Sequence, residues 1–229
     1  MIEVGGSTQR VEAWEQAYLR FETPDEEIRK FTRRLEALGA AGWPRDARVL
    51  DLFCGRGNGM VALERLGFTS LSGVDLSPRL VRLYQGRGRG MAGDCLALPV
   101  RSESQDIAIV QGGLHHLPDL EAHLPVAVSE VRRVLKPGGR FVVVEPWLTP
   151  FLRSVHWAAR GPLRRMWGRL DALATMIEYE GDTYRRWLAR PDFVLSVLTR
   201  AFTTERREQR WGKLLFVGRR PADESHART

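Results

Sequence analysis

The sequence is poor in lysine and cysteine, and it has no long apolar run. Lys30, Lys136 and Lys213 are the only lysines among 35 basic residues; the rest are arginine. No "GKS" or "GKT" occurs and no lysine lies in the glycine-rich stretch 55–59, which excludes a nucleoside triphosphate loop. The two cysteines, Cys54 and Cys95, lie in segments of apolar and glycine character, which predicts reduced thiols in a cytoplasmic protein and no disulfide framework. No stretch of about 18 uncharged apolar residues exists, so no transmembrane helix is expected. The segment "MIEVGGSTQRVEAWEQ" has neither a basic start nor an apolar core, so no secretory signal is expected. Internal repeats and low-complexity linkers are missing as well; "GRGRG" at 86–90 is a short loop.

What is present has a globular profile. The chain has 229 residues, of which 43% are hydrophobic and 28% charged, enough for one domain with a sizeable core. Residues 1–220 are expected to form that domain and 221–229 a frayed tail. The net charge of +7 is unevenly spread: 1–146 holds 19 basic and 19 acidic residues, 147–229 holds 16 and 9. An anionic partner (nucleic acid, membrane surface or acidic small molecule) is one reading of that excess; an arginine-rich solvated face is the plainer one.

Helical spacing runs from Val11 to Leu38, through Trp14, Tyr18, Phe21, Ile28, Phe31 and Leu35, and "TPDEE" at 23–27 supplies a threonine cap, a proline and first-turn acids. An alternating rhythm follows. Strands are expected at Arg48–Phe53, Ser70–Asp75, Gly90–Ala92, Asp106–Gln111 and Phe141–Glu145. Helices are expected at Met60–Leu66, Pro78–Tyr84 and Leu120–Leu135, the last ended by "KPGG". Strands this continuously apolar suit a sheet covered on both faces, and right-handed crossovers make it doubly wound. Residues 147–189 interrupt the rhythm with a helical stretch rich in tryptophan and arginine. A helix near Asp192–Thr199 and two strands, Phe202–Arg210 and Lys213–Arg219, complete the chain, with "WG" at 211–212 as a tight antiparallel turn.

In such a sheet ligands bind beyond the carboxyl ends of the strands. "VLDLFCGRGNG" at 49–59 brings an acid, Asp51, and a bare backbone to that end, where the following helix N-terminus favours an anionic group. The spacing Gly55, Gly57, Gly59 departs from a dinucleotide fingerprint, whose third glycine comes one residue later. Asp75, ending "GVD", can take both ribose hydroxyls. Asp94 in "GDCLALP" can reach an adenine amino group, with Leu76 and Leu96 on the two faces of the purine.

With these pieces in order, "VLDLFCGRGNG", "GVDLS", "GDCLALPV", "DIAIVQGGLHHLPD" and "EVRRVLKPGGRFVVVEPW", the chain resembles the class I S-adenosylmethionine-dependent methyltransferases, in their small-molecule, type 11-like branch. The resemblance covers 48–146 well and the terminal hairpin loosely. It implies an α/β fold with a doubly wound, seven-stranded, Rossmann-like sheet, mostly parallel with an antiparallel last strand, helices on both faces, N-terminal helices over 1–45 and a helical substrate cap over 147–190. It implies that Asp51, Gly55 and Gly57 line the methionine part of S-adenosylmethionine, Asp75 the ribose, and Asp94, Cys95, Leu76 and Leu96 the adenine. Gln111 and Gly112 would pass the sulfonium, and Tyr18 would close over the cofactor. Two residues depart from the pattern. Phe53 replaces a usual glycine, which makes the segment similar to the "DLFCG" of some RNA uridine methyltransferases; those carry a late nucleophilic cysteine, and this chain has none after Cys95. Arg56 replaces a usual threonine and is expected to point to solvent, the other reading being a pairing with the cofactor carboxylate.

Methyl transfer of this kind needs alignment and, for a hydroxyl or acidic carbon, a base; it requires no metal. His115, His116 and Glu145 are the candidates, as base and orienting carboxylate, against the alternative that they hold a loop. His156 is expected at the surface or in a lid. Trp147, Trp157, Trp167 and Trp187 either line the acceptor pocket or pack the cap onto the sheet, the second being the plainer reading. Arg153, Arg160, Arg164, Arg165 and Arg169 suit an acidic acceptor, a peripheral membrane contact or a solvated face. The expected reaction is methyl transfer to an oxygen or carbon of a small molecule. The rivals are a nucleic-acid methyltransferase, against which "QGGLHH" replaces an "NPPY"-like segment, and a non-catalytic cofactor-binding protein. The acceptor and the oligomeric state are not legible.

Overall fold

The computed structural model describes residues 23–160 and 181–222. The expectations placed on Trp14, Tyr18 and Phe21, on Arg164, Arg165, Trp167 and Arg169, and on the tail 223–229 lie outside the described residues, as does the side chain of Arg160.

Helix α1, Pro24–Ala37, starts as its sequence dictates. The Thr23 hydroxyl accepts the Glu26 N–H, the Glu26 carboxylate reaches back to Thr23, and Pro24 opens the first turn. Strand β1, Arg48–Leu52, leads through the glycine loop into α2, Asn58–Arg65; β2, Ser70–Asp75, leads into a single turn, α3, Pro78–Val81. Then come β3, Arg89–Ala92; β4, Gln105–Gln111; a 3-10 turn, Leu114–His116; α4, Leu120–Val134; β5, Leu135–Pro146; and α5, Pro150–Arg160. Residues 181–189 are helical. Helix α6, Pro191–Ala201, and strands β6, Thr203–Arg210, and β7, Lys213–Arg219, close the chain.

The seven strands lie in the order β3-β2-β1-β4-β5-β7-β6. Strands β1 to β5 pair in parallel, and β7 runs antiparallel to both β5 and β6. This is the doubly wound, mostly parallel sheet read from the alternating rhythm, with an antiparallel last strand. Side-chain alternation divides the core. Val49, Ile107, Ile109, Val142 and Val144 face α1 and α2. Leu50, Leu52, Val110, Phe141 and Val143 face the other layer, with Leu124 and Val131 of α4, Trp187, and Leu198 of α6. Every one of these sheet residues is buried, so truncating Leu50 to alanine costs about 2–5 kcal/mol.

Two boundaries differ from expectation by three residues or more. Strand β5 begins at Leu135, not Phe141, because Leu135 already pairs with Gln105 and Arg220 exchanges backbone hydrogen bonds with Gly138 and Gly139. "KPGG" is therefore an irregular strand segment, with Gly138 at φ +78°. Helix α3 stops at Val81, three residues early, and Tyr84 turns to donate its hydroxyl proton to Glu64 while its ring lies against Gly57. At the other end of the sheet Trp211 and Gly212 both have positive φ, +51° and +74°, as a two-residue hairpin turn that follows the strand twist requires.

Candidate active site

Strands β3, β2 and β1 are neighbours, and each delivers an acid to the same rim. Asp51 is the penultimate residue of β1, Asp75 the last of β2, and Asp94 lies two residues past β3. Asp75 is buried and clamps the loop: its Oδ2 accepts the Gly55 N–H (2.8 Å) and its Oδ1 the Ser77 N–H (2.9 Å). Asp51 is buried too. Burial first, then the negative charges of Asp75 and Glu27, push its carboxyl up to about 8. Asp94 is exposed, and its Oδ1 accepts the Leu96 N–H (2.8 Å). Cys95 and Leu96 are half-buried beside it, and burial raises the Cys95 thiol to about 12. Leu76, an exposed apolar side chain, is 62% accessible on the same rim.

The loop between Asp51 and α2 is built by conformations that few residues tolerate. Gly55 and Gly57 have φ of +53° and +80°. A Cβ on Gly59 would sit 2.5 Å from the Asp51 Oδ2, so that position must stay bare for the acid to lie beneath α2. Phe53, standing where glycine was expected, takes φ +55° all the same. Its ring fills the space above Gly113, where a Cβ would come within 2.3 Å of the Phe53 Cγ.

Arg56 corrects the expectation that it points to solvent. It is buried and ion-paired with Glu27 of α1 (Nη2–Oε2, 3.2 Å), and Asn58 donates to the same carboxylate oxygen (2.7 Å). Helix α1 thus locks the glycine loop from above, and the second expectation, pairing with a cofactor carboxylate, would have to compete with Glu27. Gln111 ends β4 on the Asp51 face of the sheet. Its Oε1 is buried without a hydrogen-bond partner among the described residues. Gly112 follows at φ +82°.

On the opposite face, β4 and β5 carry a second cluster. Glu145 is fully buried. Its Oε1 accepts the backbone N–H of Gly113 and of Leu114 (2.8 Å each), and its Oε2 meets the His115 Nδ1 at 2.6 Å. The carboxylate therefore both holds the loop and orients the imidazole, so the two readings of Glu145 describe one residue. His116 lies against His115 with ring centroids 4.0 Å apart; burial and the neighbouring His115 hold it well below the usual histidine range.

Sequence reasoning missed Tyr184. It is buried, its ring meets His115 edge-on (centroids 5.9 Å), and its hydroxyl lies 3.2 Å from His156 Nε2. His156, expected at the surface or in a lid, is half-buried and belongs to this chain of rings. The only sequence signal was that both residues fall in the insert. Trp147 and Trp187 are buried, and the Trp187 indole donates to the Pro146 carbonyl (2.8 Å), so these two pack the insert onto the sheet. Trp157 is 76% exposed and does neither job.

Among the described residues no helix is long and apolar enough to cross a membrane, and no cluster of three or more metal-ligating side chains occurs. Residues 50–143 match the family described as a methyltransferase domain. Over 118 residues the chain is 34% identical to a probable phthiotriol/phenolphthiotriol dimycocerosates methyltransferase of Mycobacterium ulcerans, covering 49% of this chain and 43% of that protein. It is 32% identical over 112 residues to a demethylmenaquinone methyltransferase of Staphylococcus aureus, covering 45% of each. The match thus spans less than half the length of these relatives. Among solved structures, a chain of the complex between the Haloferax volcanii Trm112 methyltransferase activator and the putative methyltransferase aligns with TM-score 0.64 at 16% identity, over 95% of this chain and 99% of that one. A putative S-adenosyl-L-methionine-dependent methyltransferase from Methanococcus maripaludis aligns with TM-score 0.61 at 15% identity, over 93% of each. At those identities the likeness is one of fold.

Proposed function

We propose, for a chain whose residues 50–143 belong to the methyltransferase-domain family, that it transfers a methyl group from S-adenosylmethionine to an oxygen or carbon of a small-molecule acceptor. The observation that carries this reading is the row of acids on three adjacent strand ends, with an imidazole–carboxylate pair beside it on the next two strands. The rim suits that cofactor chemically. A carboxyl lifted by burial and then by neighbouring negative charge calls for a cation. An orphaned amide oxygen on the same face, at Gln111, calls for a polar partner.

When bound, S-adenosylmethionine supplies a methyl carbon on a sulfonium that is its own leaving group. The chain's share is placement and proton removal. Asp51, with the bare backbone at Gly55 and Gly57, takes the methionine end. Asp75 takes the ribose hydroxyls, a carboxylate having room for several acceptor contacts. Asp94, the Cys95 backbone, Leu76 and Leu96 take the adenine, and Gln111 and Gly112 pass the sulfur. Tyr18 belongs to this proposal from the sequence alone.

Glu145 holds the proton of His115 on Nδ1, which makes Nε2 the basic nitrogen that receives the acceptor's proton. His116, kept neutral by burial and by His115, lines the same turn without adding charge. Tyr184, which meets His115, and His156, which meets Tyr184, both come from the insert and support the reading of the insert as a substrate cap. A small-molecule acceptor agrees with the names of the two relatives.

The test uses Glu145→Gln. The amide keeps an acceptor for Gly113 and Leu114 but offers N–H to Nδ1, reversing the tautomer. A charge-assisted hydrogen bond is worth about 1.5–3 kcal/mol, so kcat falls roughly ten- to hundredfold while cofactor affinity by calorimetry stays within twofold. Release of S-adenosylhomocysteine from a metabolite pool reads the rate. Undiminished turnover in this variant removes the histidine base from the mechanism, and failure of the wild-type protein to bind S-adenosylmethionine removes the reaction itself.

A further inference from the structure

Among the described residues the exposed aromatic side chains are carried by α5 and the tip of the β6–β7 hairpin. Trp157 is 76% exposed, Trp211 71% and Phe151 47%. Phe151 and Trp211 meet edge-on at 5.4 Å, which joins the first turn of α5 to the tip of the β6–β7 hairpin. The hairpin tip is fastened there: the Trp147 N–H donates to the Gly212 carbonyl (2.8 Å), and the Gly212 N–H donates to the Thr149 hydroxyl (3.0 Å). Lys213 is the register partner of Pro146, the residue after Glu145. The aromatic end is therefore the carboxyl end of β5, the rim that carries the candidate site.

Trp211 sits where a bulky side chain is least expected. A two-residue turn with positive φ at both positions favours Asn-Gly or Asp-Gly, yet an aromatic occupies the first position, at φ +51°, and faces outward. Packing does not account for an indole left mostly in water.

Basic residues frame these rings. Arg153 stands between Phe151 and Trp157 on α5 and is exposed, and Arg210 and Lys213 flank Trp211 and are exposed. Beside the tip runs a groove of about 150 Å³ with Leu38, Val144 and Leu215 among its lining and Arg34, Arg210 and Lys213 on its rim. Glu208 also lines it and pairs with Arg206 and Arg210. Val144, in that lining, is the register partner of Gln111. A groove lined by apolar and mostly cationic side chains, with the protruding indole of Trp211 at its edge, matches a surface that is hydrocarbon below and anionic above. Tryptophan and arginine are the side chains such an interface favours. The charge excess of the last third of the chain has the same sign.

We propose that this end of the protein docks on an anionic phospholipid bilayer, with Trp157, Trp211 and Phe151 entering the headgroup layer and Arg153, Arg210 and Lys213 meeting phosphates. The site mouth then opens at the membrane surface. The proposal stands on surface chemistry alone and survives even if methyl transfer is disproved.

The experiment is co-flotation of the full chain with vesicles of phosphatidylcholine alone or of phosphatidylcholine and phosphatidylglycerol in equal parts. Retention is expected on the anionic vesicles and not on the zwitterionic ones. Trp211→Asn keeps a residue suited to the turn, and Trp157→Gln keeps a helix former, so both variants fold; circular dichroism checks that. Each lowers the vesicle partition constant about tenfold, and Arg210→Gln and Lys213→Gln each lower it about fivefold. Cofactor affinity is unchanged in all four. Absence of retention on anionic vesicles overturns the proposal. So does retention that the tryptophan variants do not weaken, because scattered arginines would then suffice. Self-association without lipid that the same two substitutions abolish also overturns it, since the patch would be a face between copies of the chain.

Discussion

On the proposed function, Asp51 makes cofactor binding a proton-linked event, and the size of the effect follows from its surroundings. Its carboxyl is buried, with Asp75 and Glu27 nearby, and titrates at about 8 in the ligand-free protein. Arg56 lies on the same loop, but its charge is directed to Glu27. At pH 7.5 about a quarter of the molecules carry the ionised form, and at pH 6 roughly one in a hundred does. An ammonium group placed within ~4–6 Å lowers a carboxyl by one to three units, which at the upper end brings the complex below pH 6. Affinity for S-adenosylmethionine should therefore rise roughly 15- to 20-fold from pH 6 to pH 7.5, about 1.7 kcal/mol, the ligand's α-amine beginning to lose its own proton at the top of that range. Binding at pH 7 should release a net of roughly three-quarters of a proton, about nine-tenths from Asp51 less the fraction the ligand's α-amine takes up, readable by calorimetry in buffers of different ionisation enthalpy. Asp51→Asn should bind weakly and lose this part of the slope. The sign for stability is opposite. A carboxyl raised above its unfolded value of 3.8 keeps an extra proton in the folded state between about 4 and 8. Its contribution is present in full below that window and lost as pH rises through it, so the melting temperature of the ligand-free protein should fall relative to Asp51→Asn from pH 4 to 8. An affinity flat between pH 6 and 7.5, or an equal slope in Asp51→Asn, refutes the reasoning.

Asp75→Ala should abolish measurable cofactor binding and also destabilise the chain by about 1–3 kcal/mol for each of the two buried N–H groups it abandons, at Gly55 and Ser77; Asp75→Asn, which keeps one acceptor, should lose affinity with a smaller drop in urea midpoint. Gly113→Ala should cost about 1–3 kcal/mol in denaturant unfolding, because its Cβ meets the Phe53 ring at 2.3 Å. Adding Phe53→Gly should recover most of that loss, and a double variant no more stable than Gly113→Ala would show that the clash is not its cause.

The parts of this site that were legible in the sequence are those fixed by local pattern. Strand ends carry Asp51 and Asp75 because apolar runs stop on an acid, and Asp94 follows the next strand at once; chain order and the winding rule then put all three on one rim. The "WG" turn was legible for the same reason. What was not legible depends on residues far apart in the chain. Arg56 turns inward because Glu27, on a different helix, lies across the glycine loop. Strand β5 starts six residues early because Gln105 and Arg220 supply partners that no local propensity announces.

Glu145 shows why the catalytic and structural readings of a buried carboxylate were inseparable at the level of sequence. Three donors converge on it from the turn after β4: two backbone N–H groups and one imidazole nitrogen. A buried carboxyl group needs such partners, and the loop supplies two of the three. The negative charge in turn fixes the tautomer of His115, which a neutral acceptor would leave undetermined. On the proposed function, building the turn and preparing the base are thus one electrostatic arrangement. Any substitution that spares the turn but removes the charge, as Glu145→Gln does, separates them in the test tube.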